Sequence, residues 1–386
     1  MFQQQATIRV AIAGAGFIGP VHIEALRRLP NIAVVAISHS SEKAAAVKAQ
    51  QLGIRNYYTD FTEMLQKEQP DCVHICTPNQ LHYTMAKAAL QQGIHVVCEK
   101  PLAMSVTEAT ELLNLAKANN LIHAVCFNIR YYPLARQIKS IIESNEVGRL
   151  FSVSGSYQQD WLLYDTDYNW RLETEKSGES KAVADIGSHL IDLLEYTSGL
   201  RVEEVMADFT TVHPYRKKPL SNIETYAGTS TENINYAHVP VSLEDTANIL
   251  LRFSGGTKGI ATLSQVAAGR KNRLNLEING SDKSLAWSSE QPEELWIGRR
   301  NAPNEMLMRD PSLLSRSAKN ITSYPGGHAE GFGDTFKQLF KEIYADVING
   351  TPAENSSYPT FADGLRELVI CDKIVESNRT QTWVKI

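Results

Sequence analysis

The turn Cys98-Glu99-Lys100-Pro101 sets a carboxylate and an ammonium directly after the apolar run His95–Cys98. A turn that only joins two elements needs neither charge, whereas a fixed ammonium can hydrogen-bond a reacting oxygen and stabilise negative charge that develops on it. Farther along, Asp185-Ile186-Gly187-Ser188-His189 spaces an acid and an imidazole four residues apart, with Asp192 three beyond. On a helix these three lie roughly on one face, and Ile186, Leu190, Leu193 and Leu194 form an apolar stripe. A histidine so placed can take a hydroxyl proton near neutral pH, and a neighbouring carboxylate can orient it. The competing reading makes Asp185 a helix cap and His189 a satisfied, half-buried side chain. Beside the other motifs of this chain, the catalytic reading is favoured.

Gly14-Ala15-Gly16-Phe17-Ile18-Gly19 follows the predicted strand Ile8–Ala13 and opens a predicted helix over Phe17–Leu29. Gly14 permits a tight turn, Gly16 lets the backbone approach a pyrophosphate, and Gly19 allows close helix–strand packing. The helix N-terminus then supplies amide donors and a favourable dipole to the phosphates. In this strand–turn–helix setting the motif predicts dinucleotide binding by Gly14, Gly16, Phe17, Ile18 and Gly19.

The second strand of such a unit normally ends in an acid that binds the adenosine ribose. Here the stretch reads Ile37-Ser38-His39-Ser40-Ser41, without a carboxylate. Hydroxyls with His39 and Lys43 suit a 2′-phosphate, but no arginine is present, so NAD and NADP both stay open. So does the reading in which the serines merely cap the next helix. Another turn, Cys76-Thr77-Pro78-Asn79-Gln80-Leu81-His82, also follows a predicted strand. It adds Thr77, Pro78, Asn79 and His82 to Ser38, His39, Glu99, Lys100 and Pro101 at strand carboxyl ends, where open α/β sheets bind ligands. Near a nicotinamide, Lys100 would meet a substrate oxygen.

The run from Tyr157-Gln158-Gln159-Asp160-Trp161 to Asn169-Trp170-Arg171 mixes Trp161, Tyr164, Tyr168 and Trp170 with amides and acids. Aromatic faces beside hydrogen-bonding groups suit a sugar ring, with its apolar C–H faces and hydroxyl edges. Aromatic packing at a sheet or subunit interface accounts for the same run equally well.

These residues need a scaffold. Short β-branched runs alternate with helical patterns through Phe127, which predicts a doubly wound parallel sheet covered on both faces, an α/β Rossmann domain over 1–127. From about Leu150 long strand candidates dominate, at Phe151–Tyr157, Val202–Val212, Thr246–Phe253, Thr257–Val266 and Arg273–Asn279. They predict an α+β domain over 128–386 with a mainly antiparallel sheet; the C-terminal helices are free to pack back on the first domain. Few helices lie near to cover that sheet, which predicts a homo-oligomer, dimer or tetramer. Pro214–Ser242 and Arg299–Gly327 read as irregular, as candidate lids or subunit contacts.

With 386 residues, 43% hydrophobic and 21% charged, the composition is that of an ordinary multi-domain globular protein. The net charge of -5 gives no reason to expect nucleic acid or an anionic membrane as partner. Arg216-Lys217-Lys218 reads as a solvated loop. Five scattered cysteines, without a C-x-x-C pair, read as reduced core thiols. No apolar run reaches membrane-span length, and Met1–Gln5 lacks a signal-peptide pattern, so a cytoplasmic protein is expected. No metal site is predicted.

Taken together, G-A-G-F-I-G, T-P-N-x-x-H and E-K-P-L-A resemble the glucose–fructose oxidoreductase, inositol dehydrogenase and rhizopine-catabolism (Gfo/Idh/MocA) family. The resemblance extends to Asn128-Ile129-Arg130-Tyr131 and to D-x-G-x-H at Asp185–His189. It implies an open-faced sheet domain that commonly mediates oligomerisation, and dehydrogenation or reduction of sugars, cyclitols and related polyols. It further implies Lys100, Asp185 and His189 as the catalytic or substrate-orienting set. Glu99 and Pro101 would frame the nicotinamide, with a cis bond allowed before Pro101; Asn128 would lie by the cofactor and Tyr131 by the substrate. The aromatic run and Gly326-Gly327-His328-Ala329-Glu330-Gly331 resemble the branch that contains levoglucosan dehydrogenase, which places Trp161, Trp170, Arg171 and His328 at the substrate. Two other activities occur in the family: a glycosidase that oxidises its substrate transiently with NAD, and a non-catalytic dinucleotide-sensing regulator. Retention of Lys100, Asp185 and His189 speaks against the regulator.

Overall fold

The structure is a computed structural model that describes residues 7–220, 235–350 and 356–386. The leader reading at Met1–Gln5, and residues 221–234 of the stretch read as irregular, lie outside the described residues. The chain divides into two compact units: Met1–Tyr131 with Gly331–Leu368, and Tyr132–Glu330 with Val369–Ile386.

In the first unit the alternation runs β1 (Ile8–Ala13), α1 (Ile18–Arg27), β2 (Ile32–Ser38), α2 (Glu42–Leu52), β3 (Asn56–Tyr58), α3 (Phe61–Glu68), β4 (Cys72–Ile75), α4 (His82–Gln91), β5 (His95–Cys98), α5 (Val106–Ala118) and β6 (His123–Val125). All six strands are parallel, in the order β3-β2-β1-β4-β5-β6. Residues Val10–Ala13 and Val96–Cys98 are wholly buried, as strands covered on both faces must be, which is why they read as unbroken apolar runs. Local signals set the helix starts: Ser41, Asp60 and Ser105 each accept a hydrogen bond from a first-turn amide of α2, α3 and α5. The direction of strand addition reverses between β1 and β4. Such a reversal opens a crevice at the strand carboxyl ends.

The second unit holds α6 (Pro133–Glu143), β7 (Leu150–Gln158), α7 (Thr174–Ser177) and a π turn, Val183–Gly187, that runs into α8 (Ser188–Ser198). Then come β8 (Val202–Thr210), β9 (Tyr215–Pro219), β10 (Tyr236–Pro240), β11 (Thr246–Phe253), β12 (Lys258–Ser264), β13 (Arg273–Gly280), β14 (Ser284–Ser288), β15 (Glu294–Gly298), β16 (Glu305–Met308), α9 (Arg316–Lys319) and, at the end of the chain, β17 (Val384–Lys385). Nine strands form one sheet, β16-β15-β14-β13-β7-β12-β11-β8-β17, in which only β7 and β12 pair in parallel. Burial alternates strictly along β11, with Ala247, Ile249, Leu251 and Phe253 inward and Asn248, Leu250 and Arg252 outward. One face of the sheet therefore carries the core. Gly155 in β7 lets α8 sit close, since a Cβ there would lie 2.7 Å from Leu190.

Two expectations change. The stretches read as irregular contain the β9–β10 hairpin and, in the other, β16 and α9. Arg216 is not solvated: it is wholly buried, because Asp245 supplies its countercharge and the carbonyls of Leu162, Tyr164 and Asp167 accept from its Nη1.

Two long helices remain, α10 (Phe332–Asn349) and α11 (Phe361–Thr380). Within the first unit α10 packs Phe336 and Phe340 against His22 of α1. Residues 361–368 of α11 belong to the first unit and the remainder to the second. All five cysteines are buried free thiols. Among the described residues no helix is long and apolar enough to cross a membrane.

Candidate active site

The glycine turn fits a dinucleotide. Gly14 has φ +92°, and a Cβ there would lie 2.6 Å from the Cys76 carbonyl oxygen. A Cβ on Gly19 would lie 2.2 Å from the Gly14 carbonyl oxygen, so α1 can start this near β1 only with glycine. At Gly16 a Cβ would meet nothing within 4 Å. The exposed backbone of Gly16 and Phe17 thus borders open space at the start of α1, where a pyrophosphate would find amide donors. Ser38 ends β2, and its carbonyl accepts from the Gly14 amide at 3.0 Å. It caps nothing; Ser41 caps α2. His39 is half-buried, and burial, reinforced by Lys48, pushes its imidazole below the ordinary histidine value.

The turns after β4 and β5 are tied together. His82 is buried, with its ring nitrogens 2.7 Å from the Pro101 carbonyl oxygen and 2.9 Å from that of Thr77. Burial lowers its pKa, and the hydrogen bonds to the two carbonyls act against that shift. Thr77 and Pro78 are half-buried and Asn79 is buried. Glu99, Lys100 and Pro101 are half-buried at the end of β5, and the Lys100–Pro101 bond is cis. Asn128 donates to Thr335 at 2.8 Å, and the hydroxyl of buried Tyr131 donates to Glu342. Both side chains are thus engaged with α10.

In the second unit Asp185 does not cap a helix; it lies inside the π turn. Asp192 is buried, so of the three residues expected on one face only Asp185 and His189 keep partial access to solvent. The Asp185 carboxylate is gripped from two sides, by Arg171 Nε at 3.2 Å and by Gln265 Nε2 at 2.9 Å. Arg171 stacks on Trp170, 4.5 Å from the ring centroid. Trp161 donates to Gln159 Oε1 at 2.8 Å, and Gln159 in turn donates to Asn272. The aromatic loop closes over a small core of Leu162, Leu172, Val241 and Leu243. His328 is exposed in a turn whose carbonyls accept from buried Arg309.

One carboxylate anchors much of this. Asp245 pairs with Lys181 and Arg216, all buried, and accepts from the Val212 and His213 amides. Burial opposes its ionisation, yet Lys181 and Arg216 hold it below the usual carboxylate range. Gln265 and Asp245 carry no local motif, so sequence reasoning missed them. The signal each leaves is a polar residue at the end of a strand, Asp245 just before β11 and Gln265 just after β12.

Comparison with known proteins matches this architecture. Residues 8–127 match the oxidoreductase family with NAD-binding Rossmann fold, and residues 135–286 match the GFO/IDH/MocA C-terminal domain. The chain belongs to the Gfo/Idh/MocA family. It is therefore an oxidoreductase, and its first unit carries an NAD-binding domain. It is 30% identical to levoglucosan dehydrogenase of Pseudarthrobacter phenanthrenivorans over 98% of both chains. It is 28% identical to glucose-6-phosphate 3-dehydrogenase of Bacillus subtilis over 96% of each. The structure of levoglucosan dehydrogenase in complex with NADH and L-sorbose superposes with a TM-score of 0.88, at 28% identity, over 99% of both chains.

Proposed function

We propose that this Gfo/Idh/MocA chain oxidises a secondary alcohol of a sugar, anhydrosugar or cyclitol to the ketone, and runs the reverse reduction, with a nicotinamide dinucleotide. The observation that carries the proposal is the doubly held Asp185 carboxylate, one turn from His189 and joined through Arg171 to the face of Trp170. An acid fixed in this way can orient a hydroxyl, and an aromatic face suits the C–H side of a pyranose or cyclitol ring. The names of the relatives, levoglucosan dehydrogenase and glucose-6-phosphate 3-dehydrogenase, support the same class of substrate.

The bound dinucleotide supplies the hydride acceptor. In this assignment the Lys100 ammonium meets the substrate oxygen and stabilises its developing charge. His189 accepts the hydroxyl proton, and Asp185 orients substrate or imidazole. Trp161, Trp170 and Arg171 bind the ring. The test is a panel of hexoses, anhydrosugars and cyclitols offered with NAD⁺ and with NADP⁺, read as reduced-nicotinamide absorbance. The proposal expects turnover with at least one of them, and it expects NADP⁺ to be accepted because β2 ends without a carboxylate. A glycoside cleaved with no net reduction of cofactor would instead identify transient oxidation.

Assembly belongs to the same proposal. The outward face of the nine-stranded sheet carries exposed Leu250, Ile260, Met306 and Met308, and it supports a homo-oligomer formed through the second unit. A monomeric mass by light scattering would remove this part.

A further inference from the structure

The first unit buries a row of polar side chains that the proposed chemistry does not use. It starts at Glu99, at the carboxyl end of β5, and runs inward. His22 Nε2 lies 3.0 Å from Glu99 Oε1, and His22 Nδ1 lies 2.9 Å from His74 Nδ1. His74 Nε2 lies 2.9 Å from the Tyr344 hydroxyl. The Cys126 thiol also hydrogen-bonds Glu99, and the Lys100 amide lies 3.3 Å from Glu99 Oε2. Both histidines are wholly buried and Tyr344 is 2% exposed.

A nitrogen–nitrogen contact holds one proton, so the row has a direction. Burial pushes His74 well below the histidine range and Tyr344 well above the tyrosine range, which keeps the imidazole neutral and the phenol protonated. Where His22 donates from Nε2 to the Glu99 carboxylate, it accepts at Nδ1 from His74. His74 then accepts at Nε2 from Tyr344. Each group fixes the tautomer of the next, and the row ends on one carboxylate oxygen. Hydrogen bonds to the charged form keep a carboxylate ionised.

The sheet order says what that charge faces. The phosphate turn follows β1 and the adenosine side lies toward β2, so the other half of a dinucleotide lies over the ends of β4 and β5. The oxidised nicotinamide ring carries one more positive charge than the reduced ring, and a nearby fixed carboxylate favours it. We propose that His22, backed by His74 and Tyr344, is a positioning residue that holds Glu99 as a carboxylate and so biases the site toward the oxidised dinucleotide. This rests on the reading that the nicotinamide half reaches β5.

The test measures dissociation constants for NAD⁺ and NADH by calorimetry, with thermal unfolding as the control for folding. Glu99→Gln should raise the ratio Kd(NAD⁺)/Kd(NADH) roughly tenfold or more, as expected for losing a stabilised charge. His22→Leu should raise it similarly. His22→Gln, which keeps a side-chain donor, should return most of the wild-type ratio. Tyr344→Phe deletes one hydroxyl and should shift the ratio in the same direction by a roughly two- to fivefold factor. If Glu99→Gln shifts the ratio and folded His22→Leu does not, the role of His22 is overturned; should His22→Leu not fold, an unshifted Tyr344→Phe overturns it. An unshifted ratio in Glu99→Gln refutes the placement of the nicotinamide itself. The ligand atoms of His22, Glu99 and Cys126 lie within 4.8 Å of one another, so stoichiometric zinc in the purified protein would also overturn the hydrogen-bonded row.

Discussion

Alanine at Gly16 and alanine at Gly14 or Gly19 should fail for different reasons. A Cβ at Gly16 meets no atom within 4 Å, so Gly16→Ala leaves the empty fold intact. Its effect on stability should stay within about 1 kcal/mol, of the kind a tolerated glycine-to-alanine change produces. The added methyl instead fills the path by which a pyrophosphate reaches the backbone. Losing one charge-assisted hydrogen bond of about 1.5–3 kcal/mol predicts NAD⁺ binding weaker by roughly 10- to 100-fold. Gly19→Ala puts its Cβ 2.2 Å from a carbonyl oxygen, and Gly14→Ala adds a φ of +92° to a 2.6 Å approach. Left-handed strain of about 1–2 kcal/mol and overpacking of about 1–3 kcal/mol predict a lowered Tm for both, before any ligand is added. Thermal unfolding without ligand and calorimetric titration with NAD⁺ separate the two outcomes. Wild-type NAD⁺ affinity in Gly16→Ala would put the pyrophosphate elsewhere and refute the reasoning.

Two further outcomes follow from single contacts. Gln265→Leu removes one of the donors that fix Asp185, a hydrogen bond to a charged group worth about 1.5–3 kcal/mol. It should lower kcat about tenfold or more with NAD⁺ affinity unchanged; an unaltered kcat would show that Asp185 needs no second support. His123 is pushed down from 6.5 to about 4, first by burial and then by Lys117, against the pull of Asp363. Its Nδ1 accepts from the Phe361 amide at 3.1 Å, which needs the neutral ring. Between these two values the unfolded chain binds the proton and the folded one does not, so stability rises with pH across that window. The His123 contribution, about 3 kcal/mol, is fully present above pH 6.5 and is lost as pH falls towards about 4. His123→Gln should flatten the unfolding free energy over that range, and an unchanged profile would contradict the assignment.

Much of the first unit was legible because its determinants are local. Gly14–Gly19, the caps Ser41, Asp60 and Ser105, and the apolar runs of β1, β4 and β5 each declare themselves within a few residues. The long strands of the second unit were legible through their alternation, as along β11. Shorter elements were not. β9 is five residues with three consecutive cations, and Arg216 turns inward only because Asp245, far along the chain, supplies its countercharge. For the candidate site the motifs marked Lys100, Asp185 and His189. The grip of Gln265 on Asp185 spans eighty positions and obeys no periodicity. Equally, nothing in the composition of α11 marks the step at Leu368, where the helix passes from one compact unit to the other.

The chemical role of Lys100 is the claim on which the proposed function turns. Its most direct test compares wild type with Lys100→Met, using the best substrate of the panel, with NAD⁺ affinity measured on the same preparations. Loss of a charge-stabilising group predicts a kcat lower by roughly two to four orders of magnitude, with NAD⁺ affinity within a few-fold of wild type. Near-wild-type turnover by a Lys100→Met variant that still binds NAD⁺ would contradict it.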